Sequence, residues 1–139
     1  MSFTIRAFRT CDTDPVVALW EEAGLTRPWN DPRKDIERKL AVQPELFLVA
    51  VDGDQVVGSV MAGYDGHRGW LYYLASARRG EGIGRALVAK AERLLLASGC
   101  PKVQLMVRPE NAAARGFYDA LGYASFDTWA TGKRLIADA

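Results

Sequence analysis

Arg79-Gly80-Glu81-Gly82-Ile83-Gly84-Arg85-Ala86-Leu87-Val88 is the stretch on which the reading of this chain turns. It follows an aromatic, strand-like run from Trp70 to Leu74 and opens a helix-like run from Ile83 to Ala97. Glycines on such a loop let main-chain N–H groups converge. The helix start adds unpaired donors and the positive end of its dipole. The arrangement suits a pyrophosphate, most naturally that of a nucleotide-bearing cofactor. A glycine-rich turn with no ligand is the plain alternative.

Spacing separates three phosphate-loop patterns. A Walker loop ends in Gly-Lys-Ser/Thr, whereas Gly84-Arg85-Ala86 offers no hydroxyl to magnesium. A dinucleotide fingerprint read from Gly82-Ile83-Gly84 wants a small residue where Leu87 stands, and it belongs to an early strand rather than past the midpoint. The third pattern, Arg/Gln-x-x-Gly-x-Gly/Ala between a strand and a helix, fits without adjustment.

Downstream, Val103-Gln104-Leu105-Met106-Val107 alternates like a strand. Asn111-Ala112-Ala113-Ala114-Arg115-Gly116-Phe117-Tyr118 follows and closes on Leu121-Gly122-Tyr123. Together with the glycine loop, these segments resemble the two-part signature of the GNAT superfamily of N-acetyltransferases, in its order and at its usual separation. Arg27-Pro28-Trp29-Asn30-Asp31-Pro32, Tyr64-Asp65-Gly66-His67-Arg68-Gly69 and Gly132-Lys133-Arg134-Leu135-Ile136 look like its bacterial YpeA-type branch. The resemblance thus covers nearly the whole chain.

At 139 residues the chain reads as one domain over 1–139, large enough for a sheet covered by helices. A formal net charge of +1 gives no reason to expect nucleic acid or an acidic membrane surface. No apolar run reaches the length of a bilayer span and the N-terminus lacks a signal-peptide core, so a cytoplasmic protein is expected. Cys11 and Cys100, with one histidine in the chain, make no metal-ligand pattern and read as reduced packing thiols.

The expected elements are a strand over 3–9 and a helix capped by Asp12 or Asp14 that buries Val16, Leu19, Trp20 and Ala23. A second helix starts at Asp31-Pro32 and buries Ile36 and Leu40. Strands over 46–51 and 56–62 flank an Asp52-Gly53 turn, and strand 70–74 precedes the loop and the helix over 83–97. A strand over 103–107, a helix from Asn111, and a closing hairpin over 123–126 and 128–136 complete the order. This is an α/β fold, a mixed sheet with helices on its faces. The resemblance implies that the sheet is mostly antiparallel and splayed between its fourth and fifth strands.

An acyl-thioester donor must be held, its carbonyl polarised and its thiolate protonated. The N–H groups from Gly80 through Gly82, Ile83 and Gly84 to Arg85 suit the pyrophosphate, with Arg79 and Arg85 either adding charge or simply solvated. The resemblance implies that strand 70–74 offers main-chain groups to a pantetheine arm, with the Leu74 amide facing the thioester oxygen. A shift of two residues puts Ser76 in that place instead, and both registers stay open. A purely structural Leu74 packs in the core. Tyr118 is the candidate general acid, against a tyrosine merely packed beside Phe117. Asn111 caps its helix, binds the cofactor, or does both.

Met106 stands where related ribosomal-protein N-terminal acetyltransferases carry a glutamate, and no base is selected from Glu21, Glu22, Asp65, Glu110 and His67. The resemblance implies that the acceptor binds near the first helices and the strand 3–4 turn, where Trp29, Asn30, Asp31, Tyr64 and Asp65 suit a cation, against simple packing by Trp29 and helix capping by Asn30 or Asp31. The expected function is direct acetyl transfer from acetyl-CoA, without a metal, to a primary amine of a small molecule or protein. A coenzyme A-binding sensory domain and a dimerising interaction module are the alternatives, and homodimers are frequent in this superfamily.

Overall fold

In the computed structural model, which describes residues 2–138, alternation along the strand Phe47–Asp52 divides the core in two. Phe47, Val49 and Val51 pack on one side with Val16, Trp20, Ile36, Met61 and Ala75. Leu48 and Ala50 pack on the other with Val57, Val60, Leu71, Ile83, Leu87 and Leu95. A strand buried on both faces needs helices on both, and the chain supplies them.

The sheet runs β1 (Thr4–Ala7), β2 (Phe47–Asp52), β3 (Gln55–Tyr64), β4 (Gly69–Ser76) and β5 (Val103–Gln104) in spatial as well as chain order. The first four strands are antiparallel neighbours, and β5 lies parallel to β4. Helices α1 (Thr13–Glu22) and α2 (Pro32–Ala41) contribute to the first core. Helix α3 (Ile83–Ala97) packs on the opposite face, and α4 (Ala112–Ala120) follows β5. The α/β architecture and splayed mixed sheet agree with the sequence reading.

Local chemistry explains the boundaries. Ile83, Leu87, Val88, Ala91 and Leu95 form one buried stripe of α3, at the spacing of an amphipathic helix. Gly99, at φ +88°, ends that helix, with Cys100 N donating to Leu95 O at 3.0 Å. Asp31 caps α2 by accepting from Arg33 N at 2.9 Å, with Pro32 in the first turn. Gly58 lets α3 sit close: a Cβ there would lie 2.6 Å from Ile83 Cγ2.

Several expectations need correction. Asp12 does not cap α1; its carboxylate accepts from Arg9 N at 2.8 Å and pairs with Arg6 at 2.7 Å. Burial pushes its carboxyl up, but the Arg6 and Arg9 hydrogen bonds prevail and hold it below its ordinary value. The hairpin turn is Gly53-Asp54, because Asp52 still pairs with Gln55. Ala23 and Cys11 are exposed, whereas Cys100 is buried.

The fifth strand stops at Gln104, and Met106 is exposed. No closing hairpin forms over 123–136. Two residues of β5 offer too short an edge to template further strands. The end of the chain is held elsewhere: Asp138 accepts from Asp31 N at 2.7 Å and pairs with Arg38 and Arg134, while Lys34 Nζ donates to Asp138 O.

Candidate active site

β4 and β5 pair at Gly69 with Val103 and at Trp70 with Gln104, and then part. Beyond Trp70, β4 runs on to Ser76 beside β3 alone. Ala77 N donates to Val57 O on the β3 side. Alternation therefore turns the backbone groups of Ser76 and Leu74 towards the gap. Both candidate cofactor-pairing registers thus present an amide to the same opening. The Leu74 side chain is half-buried against the α3 core. The Ser76 hydroxyl is engaged with Arg78 O at 2.8 Å.

The glycine loop stands at the end of this gap. Gly80 and Gly82 have φ of +75° and +76°, and a Cβ on either would meet no atom within 4 Å. They are glycines because the backbone is left-handed, not because neighbours crowd them. The bond closing the first turn of α3 is Ala86 N to Gly82 O at 3.0 Å. The N–H groups of Ile83, Gly84 and Arg85 precede it and have no partner inside the helix. Arg79 and Arg85 are exposed and in no ion pair among the described residues. Arg78, by contrast, is tied to Asp52 at 2.7 Å.

A Cβ on Gly84 would lie 3.3 Å from Phe117 Cζ, so α4 is docked on the first turn of α3. The adjacent Tyr118 ring stands edge-on to Phe117 at 5.1 Å and to Tyr123 at 5.5 Å. Its phenol has no hydrogen-bond partner among the described residues, whereas Tyr123 donates to Glu92 Oε2 at 2.7 Å. Burial pushes the Tyr118 phenol up to about 12. Asn111 caps α4, its Oδ1 accepting from Ala114 N at 3.0 Å.

On the face of β4 away from α3 lies a feature with no mark in the sequence. The β3–β4 register slips between Ser59 and Met61, and Tyr73 takes φ +54° opposite the slip. The bulge places Tyr72 and Tyr73 on one face, where strand alternation would separate them. Ser59, fully buried, donates to Tyr73 O at 2.8 Å and accepts from Trp20 Nε1 at 2.8 Å. The Tyr73 hydroxyl donates to Asp35 Oδ2 at 2.7 Å, and Asn30 Nδ2 donates to both groups. Burial, and then the Asp35 carboxylate, push the Tyr73 phenol far up.

A cavity of about 410 Å³ opens over this bulge, lined in part by Asp35, Arg38, Lys39, Met61, Tyr72 and Tyr73. Asn30 lines the neighbouring cavity with Asp35 and Arg134. The remaining acceptor candidates lie apart from its wall. Trp29 is exposed. Tyr64 packs with the α3 core, and its backbone is bracketed by the Gln43 amide. Asp65 Oδ1 accepts from His67 N and Arg68 N, which holds the β3–β4 turn. Those two hydrogen bonds, first from Arg68 and then from His67, lower its carboxyl. The sequence reading missed Asp35, Lys39, Tyr72 and Tyr73; the paired tyrosines were visible in it, but their shared face depends on the bulge.

Comparison with known proteins adds an independent finding. Residues 15–123 match the model of a family described as the acetyltransferase (GNAT) family. An acetyltransferase of Pectobacterium atrosepticum is 54% identical over 136 residues, covering 96% of each chain. An N-acetyltransferase of Yersinia pestis is 53% identical over the same share. Among solved structures, AAC(6')-Iy with the bisubstrate analogue CoA-S-monomethyl-acetylneamine superposes with TM-score 0.78 at 17% identity, covering 98% of this chain and 100% of that one. Ard1 from Thermoplasma volcanium gives 0.74 at 24%, covering 91% and 86%.

Proposed function

The chain belongs to the GNAT acetyltransferase family, and we propose that it transfers acetyl directly from acetyl-CoA to a primary amine held over the Tyr73 bulge. The observation that carries this reading is the set of unpaired N–H groups at the start of α3, standing at the end of the gap between β4 and β5. Pyrophosphate oxygens satisfy those donors and meet the positive end of the helix dipole. Open space beside Gly80 and Gly82 leaves room for the phosphates to approach the backbone.

The pantetheine arm then completes β4 on the side that β5 leaves free. A main-chain amide facing the gap, that of Leu74 or of Ser76, stabilises the oxyanion that forms as the amine attacks the thioester carbon. As the carbon–sulfur bond breaks, the amine loses a proton to solvent and the departing thiolate takes one up from solvent while the Tyr118 hydroxyl donates a hydrogen bond to it. Tyr118 is the donor facing that sulfur. Burial takes its phenol away from the ordinary thiol range of about 8.5, so it is fully protonated at neutral pH and acts chiefly as a hydrogen-bond donor. Asn111 positions α4, and through it Tyr118.

Calorimetric titration with acetyl-CoA tests the reading, with dephosphorylated coenzyme A and NAD as controls. The expected result is micromolar binding that is lost when both Gly82 and Gly84 are changed to Asp. No binding by the folded wild-type protein would refute it. Binding without transfer to any amine would instead identify a coenzyme A sensor.

A further inference from the structure

The charges around the acceptor cavity do not cancel, and the residue left over defines what fits. Asp35, the carboxylate on its wall, is engaged through both of its oxygens. Its Oδ2 accepts from the Tyr73 hydroxyl and from Asn30, and its Oδ1 from Arg38 Nη1 at 3.2 Å. Arg38 is in turn bound by Asp138. An incoming ammonium therefore finds no free anion here.

Lys39 is the opposite case. It is half-buried, lines the same cavity and belongs to no ion pair among the described residues. Its Nζ would lie 3.6 Å from a Cβ built on Gly63, an ordinary contact distance that places the ammonium against β3. Burial lowers its pKa, with Glu45 opposing more weakly. From the β3–β4 turn, outside the wall, the charge of Asp65 raises the Tyr72 phenol less than burial does. A partly desolvated cation without a partner is costly, and an anion from the ligand removes that cost.

Resting on the acetyltransferase reading above, we propose that the acceptor carries a carboxylate beside its amine, as an amino acid or short peptide does, and that Lys39 recognises that carboxylate. The carboxylate docks on the ammonium over Gly63, and the aliphatic portion lies along Met61 and the Tyr72 ring. The amine is then directed towards the bulge and the gap. A cavity of about 410 Å³ is near the lower end for small-molecule sites and suits a molecule of this size. Polyamines and other multiply cationic amines would be repelled by Lys39.

The test compares acetyl transfer to apolar amino acids with transfer to their carboxamides, which keep the amine and lose the anion. We expect at least a tenfold preference for the acids in kcat/KM, carried by KM. Lys39→Met abolishes the preference, Lys39→Arg keeps part of it, and both bind acetyl-CoA as the wild type does. A turnover-free measurement accompanies this: calorimetry of the CoA-loaded protein with N-acetyl-leucine against N-acetyl-leucinamide. Equal use of acids and amides, a preference that survives Lys39→Met, or failure of the loaded protein to bind the acid would overturn the proposal. Loss of acetyl-CoA binding by the wild type would instead refute the acetyltransferase reading. Met preserves the apolar stem of Lys39, so the folded state is retained.

Discussion

The indole of Trp20 lies flat on the phenol ring of Tyr73, with 3.7 Å between centroids and 9° between planes. That contact spans α1 and the bulged strand, and it holds a tyrosine in a backbone conformation costing an L-residue about 1–2 kcal/mol. The cost is met by the stack and by hydrogen bonds at both ends of the residue. Ser59 anchors the Tyr73 carbonyl, while Asp35 anchors its hydroxyl. The bulge is thus built by residues far away in sequence.

Ser59→Ala should destabilise the protein by about 2–4 kcal/mol in urea denaturation. It strands two polar groups, Trp20 Nε1 and Tyr73 O, each worth about 1–3 kcal/mol when left unpaired. A loss below about 1 kcal/mol would show that water replaces the hydroxyl and that the bulge needs no such anchor.

Tyr118→Phe should leave stability at neutral pH unchanged, because the phenol has no protein partner to lose. Turnover should fall about 100-fold or more while acetyl-CoA affinity is kept. The raised phenol also has a thermodynamic signature. Its folded pKa, about 12, exceeds the unfolded value near 10, so its contribution is complete below pH 10 and is lost as pH rises towards 12. Denaturation curves of the variant across that window should lack this component of the alkaline loss.

Gly82→Ala and Gly58→Ala should separate cofactor binding from packing. At Gly82 the added methyl meets open space, leaving only the strain of φ +76°, about 1 kcal/mol. Acetyl-CoA affinity should nevertheless drop at least tenfold, because the methyl occupies phosphate space. At Gly58 the methyl meets Ile83 and Leu87, and overpacking should cost about 1–3 kcal/mol. Calorimetry and denaturation on both variants check the contrast; equal affinities for Gly82→Ala and wild type would count against the phosphate cradle.

Asp138→Asn should release the chain end at neutral pH. Arg38, then the Asp31 amide, hold the Asp138 carboxyl well below the usual carboxylate range. The anchorage is therefore complete above an unfolded value of about 4 and is lost as pH falls towards the lower folded value. Backbone NMR relaxation of residues 134–138 should show order in the wild type at pH 7 and mobility in the variant. An ordered tail in the variant would assign the anchoring to Lys34 instead.

Much of this molecule was legible in its residues because the decisive signals were local. The stripe from Ile83 to Leu95, the stop at Gly99 and the cap at Asn111 depend on neighbours within a turn or two. The same holds for the left-handed glycines of the loop. The alternation at 123–136 was also local, but a strand needs an edge to pair with, and two residues of β5 do not provide one. The cavity over the bulge was hidden for a related reason. Nothing between Trp70 and Leu74 announces that Tyr73 turns left-handed, since Ser59 and Trp20 impose that turn from elsewhere. Trp29, Tyr64 and Asp65 carried suitable chemistry, yet the cavity formed around Asp35 and Lys39 on α2.

The hydrogen at Gly84 sets how near α4 can come, and Tyr118 rides on the same helix as Phe117. The span from the first turn of α3 to the phenol is therefore gauged by a missing methyl group. On the proposed reading, the phosphates meet α3 and the sulfur meets a phenol on α4, two helices whose separation that glycine calibrates. Any side chain there would lengthen the ruler against which the molecule is measured.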